Sequence, residues 1–330
     1  MASENRKLKV AVVGVGYLGR LHLEKYLSFD DVEVVGVADT DTTVIERIES
    51  QYEIEYSADY RAFLGRVDAV SVVVPTSLHF DVAMDFFESG ADVFVEKPIT
   101  TTVDQAKKLT ASAESKNLLL QVGHLERFNP AILALDGTLK EPLFIESHRL
   151  SPFPDRSTDV DVVLDVMIHD IDIILNFVKS PLVHVDAVGA PIITPQMDIV
   201  NARLNFESGC VANVTASRVS AGKMRKIRVF QHDAYISIDF AAQNIDLFRR
   251  SRDENGQFKI DMEHKDIDSR DYLKDEIRSF VDAVKNRAQP MVTGYDGVRA
   301  LEVASMIQEK LEDTMNKMRE RGLLDDGPAS

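Results

Sequence analysis

Residues 9–19 read KVAVVGVGYLG, and how that stretch is read decides the fold. A wholly apolar run runs straight into Gly14, Gly16 and Gly19 at G-x-G-x-x-G spacing, and RLHLEKYLSF then continues as a helix. In a strand, turn and helix of this kind the first glycine makes the tight turn and the second lets backbone approach a pyrophosphate. The third lets helix and strand pack closely. Tyr17 and Leu18, between the second and third glycines, count with them among the expected dinucleotide contacts. A glycine triplet alone is weak evidence, because any loop can carry glycines. Here a second strand, VEVVGVAD, ends in Asp39, twenty positions after Gly19, where a carboxylate accepts hydrogen bonds from an adenosine ribose. The same carboxylate would repel a 2′-phosphate, and the following TDTT offers no arginine to hold one, so the expected cofactor is NAD.

Working outward, the strand-like VDAVSVVVP (67–75) and ADVFVEKP (91–98) alternate with the helix-like SLHFDVAMDFFESG and TVDQAKKLTASAESKN, and LLLQVG (118–123) adds a further buried strand. The alternation predicts a doubly wound parallel sheet, a Rossmann domain over residues 1–126. Beyond it the pattern changes. Strand candidates near 182–190, 199–206, 210–219, 226–232, 234–240, 244–250 and 257–263 follow one another without helices, which predicts an α+β domain over 127–330 with a large, mainly antiparallel open sheet. Two amphipathic helices, about 272–287 and 296–321, close the chain and are free to pack back on the first domain.

Composition excludes several classes of function. A net charge of −16 argues against a nucleic-acid partner, since phosphate binding needs an extended basic face. No apolar run approaches the ~20 residues of a membrane span, so no membrane partner is expected. The single cysteine, Cys210, excludes a disulfide framework or a multi-cysteine zinc site, and no metal is expected. With the absence of a signal-peptide core in MASENRKLKV, that points to a cytoplasmic protein.

In an open α/β sheet the ligand lies beyond the carboxyl ends of the strands. Three polar turns are expected there: VPTSLH with Thr76 and His79, VEKP with Glu96 and Lys97, and VGHLERFNP with His124, Arg127 and Asn129. A fourth element stands apart. DVVLDVMIHDIDIIL (161–175) is apolar enough for a core yet holds four aspartates and a histidine. At 100° per residue, Thr158, Asp161, Asp165, His169, Asp172 and Asn176 fall within roughly 40° of one line, and only Asp170 breaks the pattern. Such a narrow polar stripe predicts a helix buried on several sides that lines a cavity with the last; the plain alternative is a stripe that faces water.

Together, GVGYLG, VPTSLHF, VEKP, DVVLDVMIHDID and VTGYDGVRAL resemble the glucose-fructose oxidoreductase, inositol dehydrogenase and rhizopine catabolism (Gfo/Idh/MocA) family over nearly the whole chain. The resemblance implies hydride transfer between NAD(P) and a sugar or cyclitol carbon. It implies catalytic roles for Lys97 of the EKP turn and for Asp165 and His169 of the D-x-x-x-H helix; Thr76, His79, Glu96 and Lys97, at the strand ends, are the further dinucleotide contacts expected. Met167, where many relatives have glycine, implies a narrower substrate site. The chemistry is consistent: removing hydride from a secondary alcohol needs a base for the hydroxyl proton, and a histidine beside a carboxylate, Asp165 or Asp172, meets that need.

VGHLERFNPA and ESHRLSPFPDRSTDVDVVLDVMIHDID look most like the UDP-N-acetylglucosamine 3-dehydrogenase branch, which implies a 3-keto product that a separate aminotransferase converts to an amine for lipid A. Arg127, Arg149 and Arg156 lie near the expected site in an otherwise acidic chain, and guanidinium forks suit a diphosphate, unless they neutralise nearby aspartates. His124, Asn129, Asp165, His169 and Asp172 complete the expected substrate contacts. Two alternatives stay open: a free cyclitol or other sugar as substrate, and a non-catalytic NAD(P)-sensing regulator, whose sign would be loss of the lysine or histidine. The family and the apolar alternation of CVANVTAS and YISIDF imply a homodimer or homotetramer through the second sheet.

Overall fold

The computed structural model describes residues 6–135, 137–153, 161–268 and 270–322. The chain forms two compact units, one of Met1–Phe128 with Asp271–Val298 and one of Asn129–Arg270 with Arg299–Ser330.

In the first unit the chain runs β1 (Leu8–Val13), α1 (Tyr17–Leu27), β2 (Val32–Ala38), α2 (Thr42–Glu49), β3 (Glu55–Ser57), β4 (Ala69–Val72), α3 (Thr76–Glu88), β5 (Asp92–Glu96), α4 (Val103–Ser115) and β6 (Leu120–Gly123). The six strands are all parallel in the order β3-β2-β1-β4-β5-β6. The strands β4 and β5 and the edge strand β6 are buried at every position, because helices cover both faces of a sheet wound this way, and the burial takes in Ser71, Glu96 and Gln121 with the apolar residues. Two glycines are obligatory. Gly14 has φ 82°, and a Cβ there would lie 2.3 Å from the Val73 carbonyl oxygen; a Cβ at Gly19 would lie 1.8 Å from the Gly14 oxygen.

The second unit contains α5 (Pro130–Leu133), β7 (Pro142–Leu150), a π-helical turn (Val163–Met167) leading into α6 (Ile168–Phe177), and the strands β8 (Leu182–Ala190), β9 (Ile199–Phe206), β10 (Val211–Ser217), β11 (Met224–Gln231), β12 (Ala234–Asp239), β13 (Asn244–Arg252) and β14 (Phe258–Asp266). The chain ends in α7 (Tyr272–Asn286), which belongs to the first unit, and α8 (Gly294–Glu320), which begins there and continues into the second. The eight strands form one sheet in the order β14-β13-β12-β11-β7-β10-β9-β8, antiparallel except at β7 and β10. Its inner face, with Ile145, Val229, Ile236 and Leu247 in register, packs in one core with Ile171 and Ile174 of α6 and Val303 and Ile307 of α8.

Of the elements the sequence reading does not name, among them α2 and β3, the longest is the strand β7. Its inward positions are Ile145, Ser147 and Arg149, all buried, so its core-facing row is two-thirds polar and fails the apolar alternation test. The helix expected from residue 161 also differs. Asp161 caps it, accepting from the Val163 N–H at 2.7 Å and from Gln308 Nε2 at 3.3 Å, and the first turn is π rather than α. A wheel drawn at 100° per residue therefore misplaces side chains before Ile168.

Candidate active site

At the carboxyl end of β1, the start of α1 is open. Gly16 is its N-cap, no side chain caps it, and a Cβ at Gly16 would meet nothing within 4 Å. The first-turn N–H groups of Tyr17, Leu18 and Gly19 are thus left for an anion. A cavity of about 430 Å³ lies beside this turn, lined by Gly14, Gly16, Asp39, Thr40, Tyr60 and Arg61 among others. Asp39 Oδ2 accepts from the Val15 N–H at 2.8 Å and Oδ1 from the Asp41 N–H at 3.0 Å, so the same carboxylate braces the glycine turn and borders the cavity. Thr76 opens α3 next to Pro75, which also lines the cavity. The uncapped helix, the missing Cβ atoms and the carboxylate at the end of β2 fit a dinucleotide. Arg61 was not visible from sequence, since it reaches this rim from the turn after β3; it lies 4.7 Å over the Tyr60 ring and Nε is 3.5 Å from Asp85.

Lys97, half-buried, follows the last residue of β5. Two residues expected to contact the cofactor turn inward instead. His79 is buried, its Nδ1 2.9 Å from the Pro98 carbonyl oxygen and its Nε2 2.9 Å from that of Val74, so the ring ties the lysine turn to the start of α3. Burial holds its pKa below the ordinary histidine value, against the two carbonyl contacts that raise it. Glu96 is buried too, and its Oε1 faces His22 Nε2 at 3.2 Å.

The third turn is likewise built into the fold rather than solvated. His124 and Arg127 are buried; Arg127 Nη2 lies 3.5 Å from Asp296 at the start of α8, and Asn129 Oδ1 caps α5 by accepting from the Ala131 N–H at 3.0 Å.

In the second unit, Asp165 stands in the π turn and His169 is the second residue of α6, both half-buried, while Asp172 is buried. π turns recur at functional sites because they re-aim a side chain that a regular helix would point elsewhere. Asp170, the residue off the stripe, is explained by Arg149 of β7. The guanidinium binds its carboxylate in bidentate fashion, Nη2 to Oδ1 at 2.9 Å and Nε to Oδ1 and Oδ2 at 3.2 and 3.1 Å, with both side chains buried. Arg149 is therefore corrected from substrate donor to partner of Asp170. Arg156 and Thr158 lie outside the described residues. Among the described residues no cluster of three or more His, Cys, Asp or Glu could hold a metal ion, and no helix is long and apolar enough to cross a membrane.

A parallel six-stranded sheet with a glycine turn at β1 and an acidic end to β2 defines a dinucleotide-dependent enzyme of the Rossmann class. Residues 8–124 match the oxidoreductase family with an NAD-binding Rossmann fold, and residues 133–237 match the GFO/IDH/MocA C-terminal domain. The chain belongs to the Gfo/Idh/MocA family of oxidoreductases, and its cofactor is NAD. It is 34% identical to the UDP-N-acetylglucosamine 3-dehydrogenase of Acidithiobacillus ferrooxidans, over 92% of this chain and 97% of that one. The solved structure of that enzyme superposes with a TM-score of 0.87 at 33% identity, covering 93% and 98% of the two chains. The scyllo-inositol 2-dehydrogenase (NAD(+)) of Bacillus subtilis is 27% identical over 90% of this chain and 92% of its own. The scyllo-inositol dehydrogenase of Lactobacillus casei with bound NAD(H) and scyllo-inositol shares the fold, with a TM-score of 0.78 at 20% identity over 94% and 98% of the chains.

Proposed function

We propose that the protein oxidises the 3-hydroxyl of UDP-N-acetylglucosamine, or of a close UDP-sugar, to the 3-keto sugar. The observation that carries this is the 34% identity, over nearly the full length of both chains, to an enzyme of that name. NAD, held at the glycine turn and Asp39, supplies the hydride acceptor. His169 takes the hydroxyl proton, Asp165 orients that histidine or the sugar, and Lys97 donates to the reacting oxygen and stabilises the negative charge that grows on it. With Lys97 and His169 both present, the residues for turnover are in the chain, which disfavours a purely sensing role.

Arg156 is the proposed diphosphate anchor, since Arg149 is bound to Asp170 and Arg127 sits beside Asp296. That loss of two candidate donors is what favours the second reading, a free cyclitol, for which no phosphate contact is needed. The ketone product calls for a following amine-forming step, supplied by an aminotransferase, and the reaction belongs in the cytoplasm.

Self-association through the outer face of the second sheet is part of the same proposal. Phe144, Phe230, Tyr235 and Phe248 form one cross-strand row with ring centroids 5.7, 4.8 and 5.2 Å apart, and Met262 continues it onto the edge strand. On that strand Phe258, Ile260 and Met262 are 62%, 74% and 63% exposed, an apolar surface that a second copy would cover.

The test is NAD reduction, followed at 340 nm, with UDP-N-acetylglucosamine, other UDP-sugars, free N-acetylglucosamine and scyllo-inositol, the ketone being trapped to pull the equilibrium. Turnover of the UDP-sugar alone is expected. Turnover of scyllo-inositol without that of UDP-N-acetylglucosamine would select the cyclitol reading.

A further inference from the structure

Beneath the lysine turn, the first unit holds a run of polar side chains that binding of the dinucleotide does not call for. His22 and Tyr26 stand four apart on α1 and neither is exposed to solvent. The Tyr26 hydroxyl shares a 2.8 Å hydrogen bond with Ser71 Oγ on β4, and Ser71 Oγ lies 3.4 Å from His22 Nδ1. On the other side of the ring, His22 Nε2 is 3.2 Å from Glu96 Oε1, an approach off the line of a hydrogen bond that leaves an electrostatic contact. Glu96 Oε2 in turn accepts the main-chain N–H of Lys97 at 3.2 Å. Phe94 closes the ring edge-on at 5.1 Å. The carboxylate occupies a slot that exists because residue 123 lacks a side chain: a Cβ at Gly123 would lie 2.8 Å from Glu96 Cδ and Oε1 and 2.9 Å from Oε2.

A buried carboxylate is costly, and an apolar side chain would seal the end of β5 at less expense in desolvation. What the glutamate does that an apolar residue could not is hold the peptide N–H of the next residue in a fixed place. The ring that faces it stands on the same helix whose open first turn receives the dinucleotide. Burial, with the negative charge of Glu276, pushes the Tyr26 phenol well above its ordinary range, so the far end of the run stays protonated as a hydrogen-bonding anchor.

We propose that Glu96 and His22 are positioning residues for catalysis: through the Lys97 main chain they fix where the lysine ammonium is presented, and they link that turn to the dinucleotide-binding helix. The inference rests on the reading of Lys97 as a catalytic residue.

The experiment compares Glu96→Gln, His22→Gln, their double variant, Gly123→Ala and Lys97→Met. Four quantities are measured: kcat on whichever substrate the panel above selects, NADH affinity by fluorescence, melting temperature, and, in the variants that keep the lysine, the labelling rate of Lys97 by trinitrobenzenesulfonate, read by peptide mass spectrometry. Lys97→Met should abolish turnover. Glu96→Gln and His22→Gln should each lower kcat about tenfold and change the Lys97 labelling rate, with NADH affinity within about threefold of the parent. The double variant should be no worse than the poorer single one, because the two act as one unit. Gly123→Ala, which removes no polar group but displaces the carboxylate, should reproduce the loss, and decides the matter if His22→Gln fails to fold. Unchanged kcat and labelling in Glu96→Gln and Gly123→Ala, with Lys97→Met inactive, would overturn the proposal and leave the lysine reading standing. Additive losses accompanied by weakened NADH binding would overturn it in favour of a general packing role. Normal turnover by Lys97→Met would overturn the lysine reading and the proposal with it.

Discussion

Replacing Arg149 by methionine separates two roles for a buried arginine that sequence alone cannot tell apart. The side chains of Arg149 and Asp170 are 7% and 2% exposed, and three N–H···O contacts of 2.9 to 3.2 Å join them. Removing the arginine leaves the Asp170 carboxylate in the core between α6 and β7 without its guanidinium. Breaking a buried pair on one side typically costs about 3–5 kcal/mol, or roughly two to nearly four powers of ten in the equilibrium for the second unit. Asp170→Asn should destabilise too, since it takes the carboxylate charge away from a buried guanidinium. The double variant Arg149→Met with Asp170→Leu should recover much of the loss, because it removes both charges and fills the space with apolar groups of like volume. The assay is guanidinium unfolding followed by circular dichroism, alongside KM for UDP-N-acetylglucosamine measured at a temperature where each variant is folded. If Arg149→Met kept the parental unfolding midpoint while its KM for the UDP-sugar rose tenfold, the guanidinium would be a diphosphate donor and the structural assignment would be wrong.

Three further outcomes are expected. Asp39→Ala should raise NADP use relative to NAD by about tenfold or more, because Arg61 already stands at the cavity rim, and Asp39→Ala with Arg61→Ala should lose that gain; an unchanged cofactor ratio would remove Asp39 as the discriminator. His169→Ala should lower kcat about a hundredfold or more with NADH affinity intact, and near-normal turnover would end its assignment as the base. His79 has a pKa held below 6.5 by burial, so the unfolded chain takes up its proton first as pH falls. The stability it contributes is whole above pH 6.5 and lost progressively below it. His79→Asn should flatten that acid limb in a stability-versus-pH series, and an unaltered limb would show that other groups set it.

Much of the fold was legible because both domains follow strong local rules. The glycine turn, the buried parallel strands and the strands from 182 onward announce themselves through spacing and period, and the last helices, expected at about 272–287 and 296–321, lie at 272–286 and 294–320. What escaped was where polar side chains are buried. β7 was missed because Ser147 and Arg149 take core positions, and such a strand has no apolar face to announce it. His79 and Glu96 were expected to face a cofactor because polar residues at a strand's carboxyl end usually do. They are held by Val74 and Pro98, 5 and 19 positions from His79, and by His22, 74 positions from Glu96, partners that no local pattern reports.

The helix at 161–177 shows the same limit from the other side. Its composition points to a site, and Asp170 is its one off-pattern residue. Tertiary structure reverses the weights: Asp170 answers Arg149 of a strand that was not recognised, so the two failures are one, a buried ion pair each half of which looks misplaced without the other. Ahead of Ile168 the π turn rotates Asp161 and Asp165 off the line that a regular helix would give them, so the wheel grouped residues whose directions it could not know. Site composition is read from the residue types a strand end or helix face can use. Site geometry depends on the register of a single turn and on a partner twenty-one residues upstream, and only the folded chain supplies both.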